Sequence, residues 1–309
     1  MLANFFDKTK PINNLVLSVL FFLLFSSHFF LTKTPQTVYN HWYLILLALV
    51  LNFAFIFLSS YYFIKNKVSN ENLHNTLIMI LLYGLFPSAF LEINLILVSI
   101  LYLLIYKNLA QLKFKGRKQS ALFDSGIYSG ISFLLSPGSL VFLVFIFTSI
   151  ILAKKIKLKN ILGPILGFAA TLTLFFSYCF ITNNTELFVE RTSFKTELNF
   201  DTYFKNSLLA PLIIFGSVLG LSILATFTRV ISISSPYRSQ YGLAISMLFF
   251  GTLAIFMNPD KTGAESLLIF VPSSIIIGRF LKTISNRLTK DLFLIAFGFC
   301  SLLFLIKNS

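Results

Sequence analysis

The chain has 309 residues, of which 56% belong to the apolar set AVILMFWYC and only 12% are charged. A soluble domain carries roughly 25% charged residues, so this composition excludes a soluble enzyme, a disordered chain and a coiled coil. The net charge of +14, from 25 Lys and Arg against 11 Asp and Glu, is therefore interpreted first as membrane topology.

Apolar segments follow one another along the whole chain, and such continuous runs favour membrane-spanning helices over barrel strands. In chain order they cover 12–31, 42–64, 76–90, 93–106, 122–135, 138–152, 161–181, 208–227, 242–257, 266–281 and 292–306. The predicted fold class is all-α, a polytopic transmembrane helical bundle with about eleven spans. We expect a single integral membrane domain over 1–309, with an N-terminal bundle 1–181, a periplasmic loop 182–207 and a C-terminal bundle 208–309.

The basic residues predict the orientation. With the N-terminus in the cytoplasm, most Lys and Arg fall in cytoplasmic loops and most Asp and Glu fall outside, as the positive-inside rule requires. This predicts a membrane protein with its N-terminus in the cytoplasm and its C-terminus outside. The basic loops are explained by topology and by anionic lipid headgroups, so no nucleic-acid partner is expected.

Two stretches, 76–106 and 122–152, lie between basic loops that must share one side of the membrane. Pro87 and Glu92-Ile93-Asn94 interrupt the first stretch, and Ser136-Pro137-Gly138 interrupts the second, which predicts two short helical hairpins rather than single tilted helices. We expect the hairpin tips to stop short of the outer surface and to floor a recess open to the outside. The alternative is short helices with local thinning of the bilayer. The loop 182–207 is either a short amphipathic helix over that recess or a plain linker.

Polar residues on the outer side form the candidate site. A general base or a metal-bridged pyrophosphate site needs carboxylates near a basic group. The candidate catalytic residues are Glu92, Asp260 and Glu265, and the candidate ligand-binding residues are Asn94, Arg191, Lys195, Lys261 and Asp124. The alternative is that these are solvated loop charges. Asp124 has a second interpretation, in which it caps a helix N-terminus together with Ser125.

No sequence motif indicates a metal or a known cofactor. The three histidines are scattered, and the two cysteines, Cys179 and Cys300, have no pair spacing. The cofactor is therefore unknown and no metal site is expected.

The passage SGIYSG, with Gly126 and Gly130 four residues apart, resembles C-type glycosyltransferase-fold and O-antigen-polymerase-like membrane proteins. Over nearly the whole chain, ANFFDKTKPIN, ALFDSGIYSG and KTGAESLLIFVPSSIIIGRF resemble an inner-membrane family of Bacteroidota. This resemblance implies a multi-pass protein of the bacterial inner (cytoplasmic) membrane and no established activity. C-type glycosyltransferases usually carry a catalytic acid in the first outside loop. Here that loop, TKTPQTVYN at 32–40, has no acid, so any chemistry would depend on Glu92, Asp260 or Glu265.

Two functions from different classes follow, and whether the protein is an enzyme stays open. The first is binding or processing of a lipid-linked envelope precursor at the outward-facing recess. The alternative is a non-catalytic subunit or scaffold of an envelope, secretion or motility complex. A transporter is third, because intramembrane charges are scarce. The expected partners are the lipid bilayer, a lipid-linked substrate and other membrane proteins.

Overall fold

All regular structure in the part of the chain that the computed structural model describes is helical. The described residues are 5–7, 9–32, 35–65, 73–113, 118–193, 203–204, 208–230, 235–259 and 261–307. In chain order the helices are α1 (Pro11–Thr32), α2 (Pro35–Lys65), α3 (His74–Leu85), α4 (Ile93–Ala110), α5 (Lys118–Leu135), α6 (Val141–Leu152), α7 (Leu158–Ile181), α8 (Thr185–Thr192), α9 (Leu209–Val230), α10 (Ser235–Met257), α11 (Leu267–Thr283) and α12 (Arg287–Lys307). Short 3-10 turns lie at Pro87–Phe90, Gln111–Lys113, Pro137–Leu140 and Ala264–Ser266.

Each predicted apolar segment coincides with a helix, with ends that differ by up to seven residues. Within the described ranges, eight helices are long and apolar enough to cross a membrane. Helix α3 and the stretch Pro137–Leu152 are apolar but shorter. The protein is thus helical and of the membrane type, while the count of about eleven spans and the orientation stay predictions.

The helices form two compact units. The first unit contains Met1–Ile96, Phe200–Ala244 and Thr262–Ser309, and the second contains Leu97–Asn199 and Ile245–Lys261. The expected single membrane domain over 1–309, with its bundles 1–181 and 208–309, stays a prediction.

Helices α3 and α11 form the centre of the first unit. Every residue of α3 is buried, and so is every residue of α11 from Leu267 to Gly278. Helix α3 packs against α1, α2, α11 and α12, and α9 packs against α11. Ser301 on α12 donates a hydrogen bond from its Oγ to the carbonyl oxygen of Leu81 at 2.8 Å. Such polar contacts between helices add to the van der Waals packing that holds helices together in lipid.

The outside of the first unit is covered by large apolar side chains. Phe30 on α1, Phe57 on α2 and Leu224 on α9 are all strongly exposed. Contact with water would be unfavourable for this much apolar surface, whereas lipid tails match it. The exposed surface therefore indicates a bilayer around these helices.

The second unit contains a close helix pair, α5 and α7. Gly126 and Gly130 on α5 face Pro164 and Thr171 on α7, and a side chain at Gly126 would overlap the backbone of Pro164. Small residues at this spacing let two helix backbones approach closely. The Gly126–Gly130 pair that carries the glycosyltransferase resemblance thus has a packing role.

An aromatic stack lies at the centre of the second unit. The Tyr102 ring on α4 stacks on Phe142 of α6, with centroids 3.8 Å apart. The Tyr102 hydroxyl donates to the carbonyl oxygen of Met247 on α10 at 2.6 Å.

The predicted short helix in the loop 182–207 is present as α8, which packs against α5 and α7.

Both predicted helix breaks are present. Phe86 and Ser136, which precede the two prolines, have φ and ψ of −124° and 74°, and −148° and 109°. A residue before proline is disfavoured in the helical region, so each helix ends there. The stretches 76–106 and 122–152 are therefore pairs of separate helices rather than long tilted ones.

Candidate functional site

The first helix break, at Pro87–Phe90, lies beside the middle parts of α1 and α2 rather than beside their ends. Asn52 on α2 donates a hydrogen bond from its Nδ2 to the carbonyl oxygen of Phe90 at 2.9 Å. Asn52 is about 15 Å along the helix from Trp42, where the candidate span of α2 begins. The Phe90 ring also lies beside Phe21 and Phe25 of α1, with centroids 5.8 and 5.5 Å away. If α1 and α2 cross a bilayer, the break lies inside it.

A second turn meets this break. The Ala264–Ser266 turn, which leads into α11, packs against the Pro87–Phe90 turn. It follows Gly263, whose φ of 88° is in the left-handed region that favours glycine. A Cβ at Gly263 would lie 3.2 Å from the Ser88 hydroxyl oxygen. The end of α3 and the start of α11 therefore lie at the same depth.

Glu265 places a fully buried carboxylate in this second turn. Its Oε1 accepts a hydrogen bond from the Tyr203 hydroxyl at 2.5 Å. Its Oε2 accepts one from the Thr262 backbone N–H at 3.2 Å and lies 3.3 Å from the Thr262 hydroxyl, which donates to it. A buried carboxylate is costly unless donors compensate it. Tyr203 and Thr262 supply that compensation.

Tyr203 is held in its neutral form. Burial raises the pKa of the Tyr203 phenol well above its usual range, and the negative charge and hydrogen bond of Glu265 raise it further. The hydroxyl therefore stays protonated at neutral pH and acts as a donor toward Glu265.

Two buried hydroxyls lie next to this carboxylate in the chain or in space. Ser266 follows Glu265 directly, and Ser88 lies against Gly263. Within the described structure neither hydroxyl oxygen has a hydrogen-bond partner. Buried polar atoms are usually satisfied, so each of these hydroxyls has unused hydrogen-bonding capacity. Ser88, Tyr203, Thr262, Glu265 and Ser266 are called the Glu265 cluster below.

The side chains of the Glu265 cluster can form hydrogen bonds with a ligand and can take up a proton. A carboxylate can accept hydrogen bonds from the hydroxyls of a ligand or take up a proton as a general base. Serine and threonine hydroxyls can both donate and accept. These groups suit a neutral, hydroxyl-bearing headgroup better than a free anion, which the carboxylate would repel. Among the described residues, no group of three His, Cys, Asp or Glu side chains could hold a metal ion.

Glu92 and Asn94 are placed beside the same break. Both side chains are exposed, and they flank the first residue of α4. The Glu92 carbonyl oxygen accepts the Ile96 backbone N–H at 3.0 Å, which places Glu92 at the N-terminus of that helix. A negative charge is favourable there, so Glu92 has a structural role besides the predicted catalytic one.

The predicted basic residues occupy helix ends in the second unit. Lys261 is buried and donates hydrogen bonds from its Nζ to the carbonyl oxygens of Ile255 and Phe256, at 2.5 and 3.0 Å. Arg191 is exposed in the last turn of α8. A cation is favourable at a helix C-terminus, so both placements also have a structural reason. Asp260 and Lys195 lie outside the described residues.

The expected capping role of Asp124 is wrong. Helix α5 begins at Lys118, so Asp124 lies in its second turn and no acid occupies the first. Ser125 does not cap the helix either, because its hydroxyl donates to the carbonyl oxygen of Ala121 at 2.7 Å. The helix begins upstream of the apolar segment, in residues that sequence alone assigned to a basic loop. A binding role for Asp124 stays a prediction.

Sequence reasoning missed four members of the cluster, Ser88, Tyr203, Thr262 and Ser266. Tyr203 lies in the loop 182–207, where no sequence pattern singles it out. A local pattern could have indicated Ser88 and Thr262. Each is a hydroxyl residue next to a turn-forming residue, in the pairs Pro87-Ser88 and Thr262-Gly263. The contact between Tyr203 and Glu265 joins residues 62 positions apart, which no local pattern predicts.

Comparison with known proteins supplies a family but no activity. No curated protein and no solved structure matches the chain. A family profile described as a family of unknown function, DUF6427, matches residues 1–309. This chain's apolar helices indicate a membrane environment, and because the family match covers its full length, the chain belongs to the DUF6427 family.

Proposed function

We propose that this protein binds, and processes, the hydroxyl-bearing headgroup of a lipid-linked envelope precursor at the Glu265 cluster. The single observation that carries the proposal is the placement of Glu265, a fully buried carboxylate in the Ala264–Ser266 turn that packs against the first helix break. Polar and ionisable groups at membrane depth are costly and are usually retained for function. The proposed setting is the periplasmic side of a bacterial inner membrane.

The geometry around Glu265 supports recognition of a hydroxyl group. Tyr203 and Thr262 already donate to the carboxylate, so its oxygens are fixed in position. The free hydroxyls of Ser88 and Ser266 can then complete the hydrogen bonding of a sugar or a similar headgroup. Prearranged donors and acceptors reduce the entropy lost on binding.

Processing requires one further step. In a glycosyltransferase-like reaction, the Glu265 carboxylate would take the proton from an attacking hydroxyl group and so serve as general base. The proton would pass to Glu265, the new bond would form at the donor sugar carbon, and the lipid phosphate would leave. Glu92 and Asp260 are the alternative bases on the same side of the predicted topology.

The test compares matched carboxylate variants. Glu265→Gln keeps the shape and size of the side chain but removes the charge, and Glu92→Gln makes the same change at an exposed position. Both proteins are purified in mild detergent, and their co-purified lipids are analysed by mass spectrometry. The proposal predicts a glycolipid that is present with wild type and Glu92→Gln and is at least fivefold depleted with Glu265→Gln, at an unchanged unfolding midpoint.

Two results would overturn the proposal. The first is an identical lipid profile for wild type and Glu265→Gln. The second is a protein partner that co-purifies stoichiometrically with all three proteins while no glycolipid does, which supports the alternative of a non-catalytic membrane subunit.

A further inference from the structure

A cavity of about 360 Å³ lies between α1, α2 and α3 in the first unit. This volume falls within the range of roughly 300–1,000 Å³ that is usual for small-molecule sites. No charged side chain is among its lining residues, and none of them belongs to the Glu265 cluster. We propose that this cavity binds one acyl chain of an anionic phospholipid.

The lining changes from polar to apolar along the cavity. Asn14 and Ser18 near the start of α1, and Thr76 near the start of α3, are at one end. Phe21 and Phe53 are at the other end, with their rings in contact at a centroid distance of 5.1 Å. A membrane lipid has the same order, from a polar head and ester region to a hydrocarbon tail.

The length of the cavity matches one leaflet. It extends along α2 from Ile64 to Phe53, which is about 16 Å of helix. Half of a hydrocarbon core of about 30 Å is about 15 Å. A single chain that enters at the polar end therefore ends near the bilayer midplane.

The cavity opens sideways, toward the lipid. Its inner wall is buried and includes Leu17 and Ile80. Its rim is exposed, with 62% of Leu15, 72% of Phe57 and 55% of Tyr61 accessible. These rim residues lie on helices that are apolar enough to span a membrane. A lipid chain can thus enter directly from the bilayer.

The positive charge of Lys10 at the polar end favours an anionic headgroup. Lys10 is exposed and immediately precedes α1, whose residues Asn14 and Ser18 line that end of the cavity. The acid on the same segment as Lys10, Asp7, lies 3.8 Å from His74 Nδ1. A lysine at a membrane surface attracts anionic lipid headgroups. The occupant is therefore inferred to be phosphatidylglycerol or another lipid with a net negative headgroup.

The experiment uses the full-length protein in vesicles of phosphatidylglycerol and phosphatidylethanolamine. Phosphatidylglycerol with a photoreactive diazirine halfway along one acyl chain serves as the probe, and cross-linked peptides are identified by mass spectrometry. The expected result is adducts concentrated on α1, α2 and α3. Equal labelling of the outward-facing surfaces of α7 and α12 would show only the surrounding lipid and would overturn the proposal.

Two variants fill the cavity, and one matched variant does not. Ser18→Phe and Ser60→Phe each add a ring to the lining. Ser217→Phe on α9 is the control, because Ser18 and Ser217 are both exposed and both donate to a carbonyl oxygen of their own helix. We expect each filling variant to lower the cross-linking at least fivefold and the control to leave it unchanged, at equal unfolding midpoints. Equal yields from all three variants would overturn the proposal.

The headgroup is tested separately. Lys10→Gln should lower the yield of the phosphatidylglycerol probe about threefold relative to a phosphatidylethanolamine probe with the same chain. Lys159→Gln, an exposed lysine at the start of α7, should change neither yield. Displacement of the probe by undecaprenyl phosphate, but not by excess phosphatidylglycerol, would assign the cavity to a prenyl chain and contradict the proposal. No substitution here touches Glu265, so either proposal can fail alone.

Discussion

The two helix breaks share one local structure but have different surroundings. Each begins with a proline in a short 3-10 turn, at Pro87 and Pro137. The first break packs against the turn that holds the buried Glu265. At the second break, Gly138 packs against the backbone at the end of α10, and Ser136 donates to Asn258 Oδ1 at 3.2 Å.

This difference shows that a proline break by itself does not make a site. The proline determines where the helix ends, because it removes a donor and restricts the residue before it. The surroundings determine what the break can do. Close backbone packing around Gly138 suits a structural joint, whereas a carboxylate with free hydroxyls nearby suits ligand binding.

The largest effect is expected at the second break. Gly138→Val should destabilise the protein by about 2–3 kcal/mol, because a Cβ there would lie 2.8 Å from the carbonyl oxygen of Ala254, and backbone cannot move aside easily. Thermal unfolding in detergent measures the effect. Gly220→Val is the control, since nothing lies within 4 Å of a Cβ at Gly220. Equal losses of unfolding free energy for both variants would show that Gly138 packs no more closely than Gly220.

A smaller loss is expected at the first break. Asn52→Leu removes the hydrogen bond to the Phe90 carbonyl oxygen and leaves a buried acceptor unpaired. This should cost about 1–3 kcal/mol in the free energy of unfolding. Asn94→Leu changes an exposed asparagine on the neighbouring segment and should cost less than about 0.5 kcal/mol. Thermal unfolding in detergent measures both variants. The prediction holds if Asn52→Leu lowers the free energy of unfolding more than Asn94→Leu does.

The smallest effect is expected from Tyr203 and depends on pH. Tyr203→Phe should lower stability by about 1 kcal/mol at neutral pH, because Glu265 loses a donor. Since the pKa of Tyr203 is raised in the folded protein, its stabilisation is present below the ordinary tyrosine pKa of about 10 and is lost as pH rises above it. Unfolding midpoints of wild type and variant should therefore converge above about pH 10. A constant difference would contradict the raised pKa.

The sequence predicted the helices and breaks well because their causes are local. Apolar length marks each helix, and Pro87 and Pro137 mark the two breaks. The Glu265 cluster was predicted only through Glu265 itself, since Tyr203 reaches it from a distant part of the chain. Asp124 was misplaced because Lys118 starts its helix early. Lys261 shows a further limit: a loop lysine in the sequence turned out to be buried against the end of α10.

The central proposal needs the Glu265 cluster to lie in the expected recess that is open to the outside, and thiol accessibility tests this most directly. Thr262→Cys places an exposed thiol next to Glu265, in a background where Cys179 and Cys300 are replaced by Ala. A charged, membrane-impermeant thiol reagent is added to spheroplasts, with Leu303→Cys on the outward-facing surface of α12 as the control. We predict rapid labelling at position 262 and none at position 303. Labelling at neither position, or at 262 only after the membrane is permeabilised, would contradict the claim.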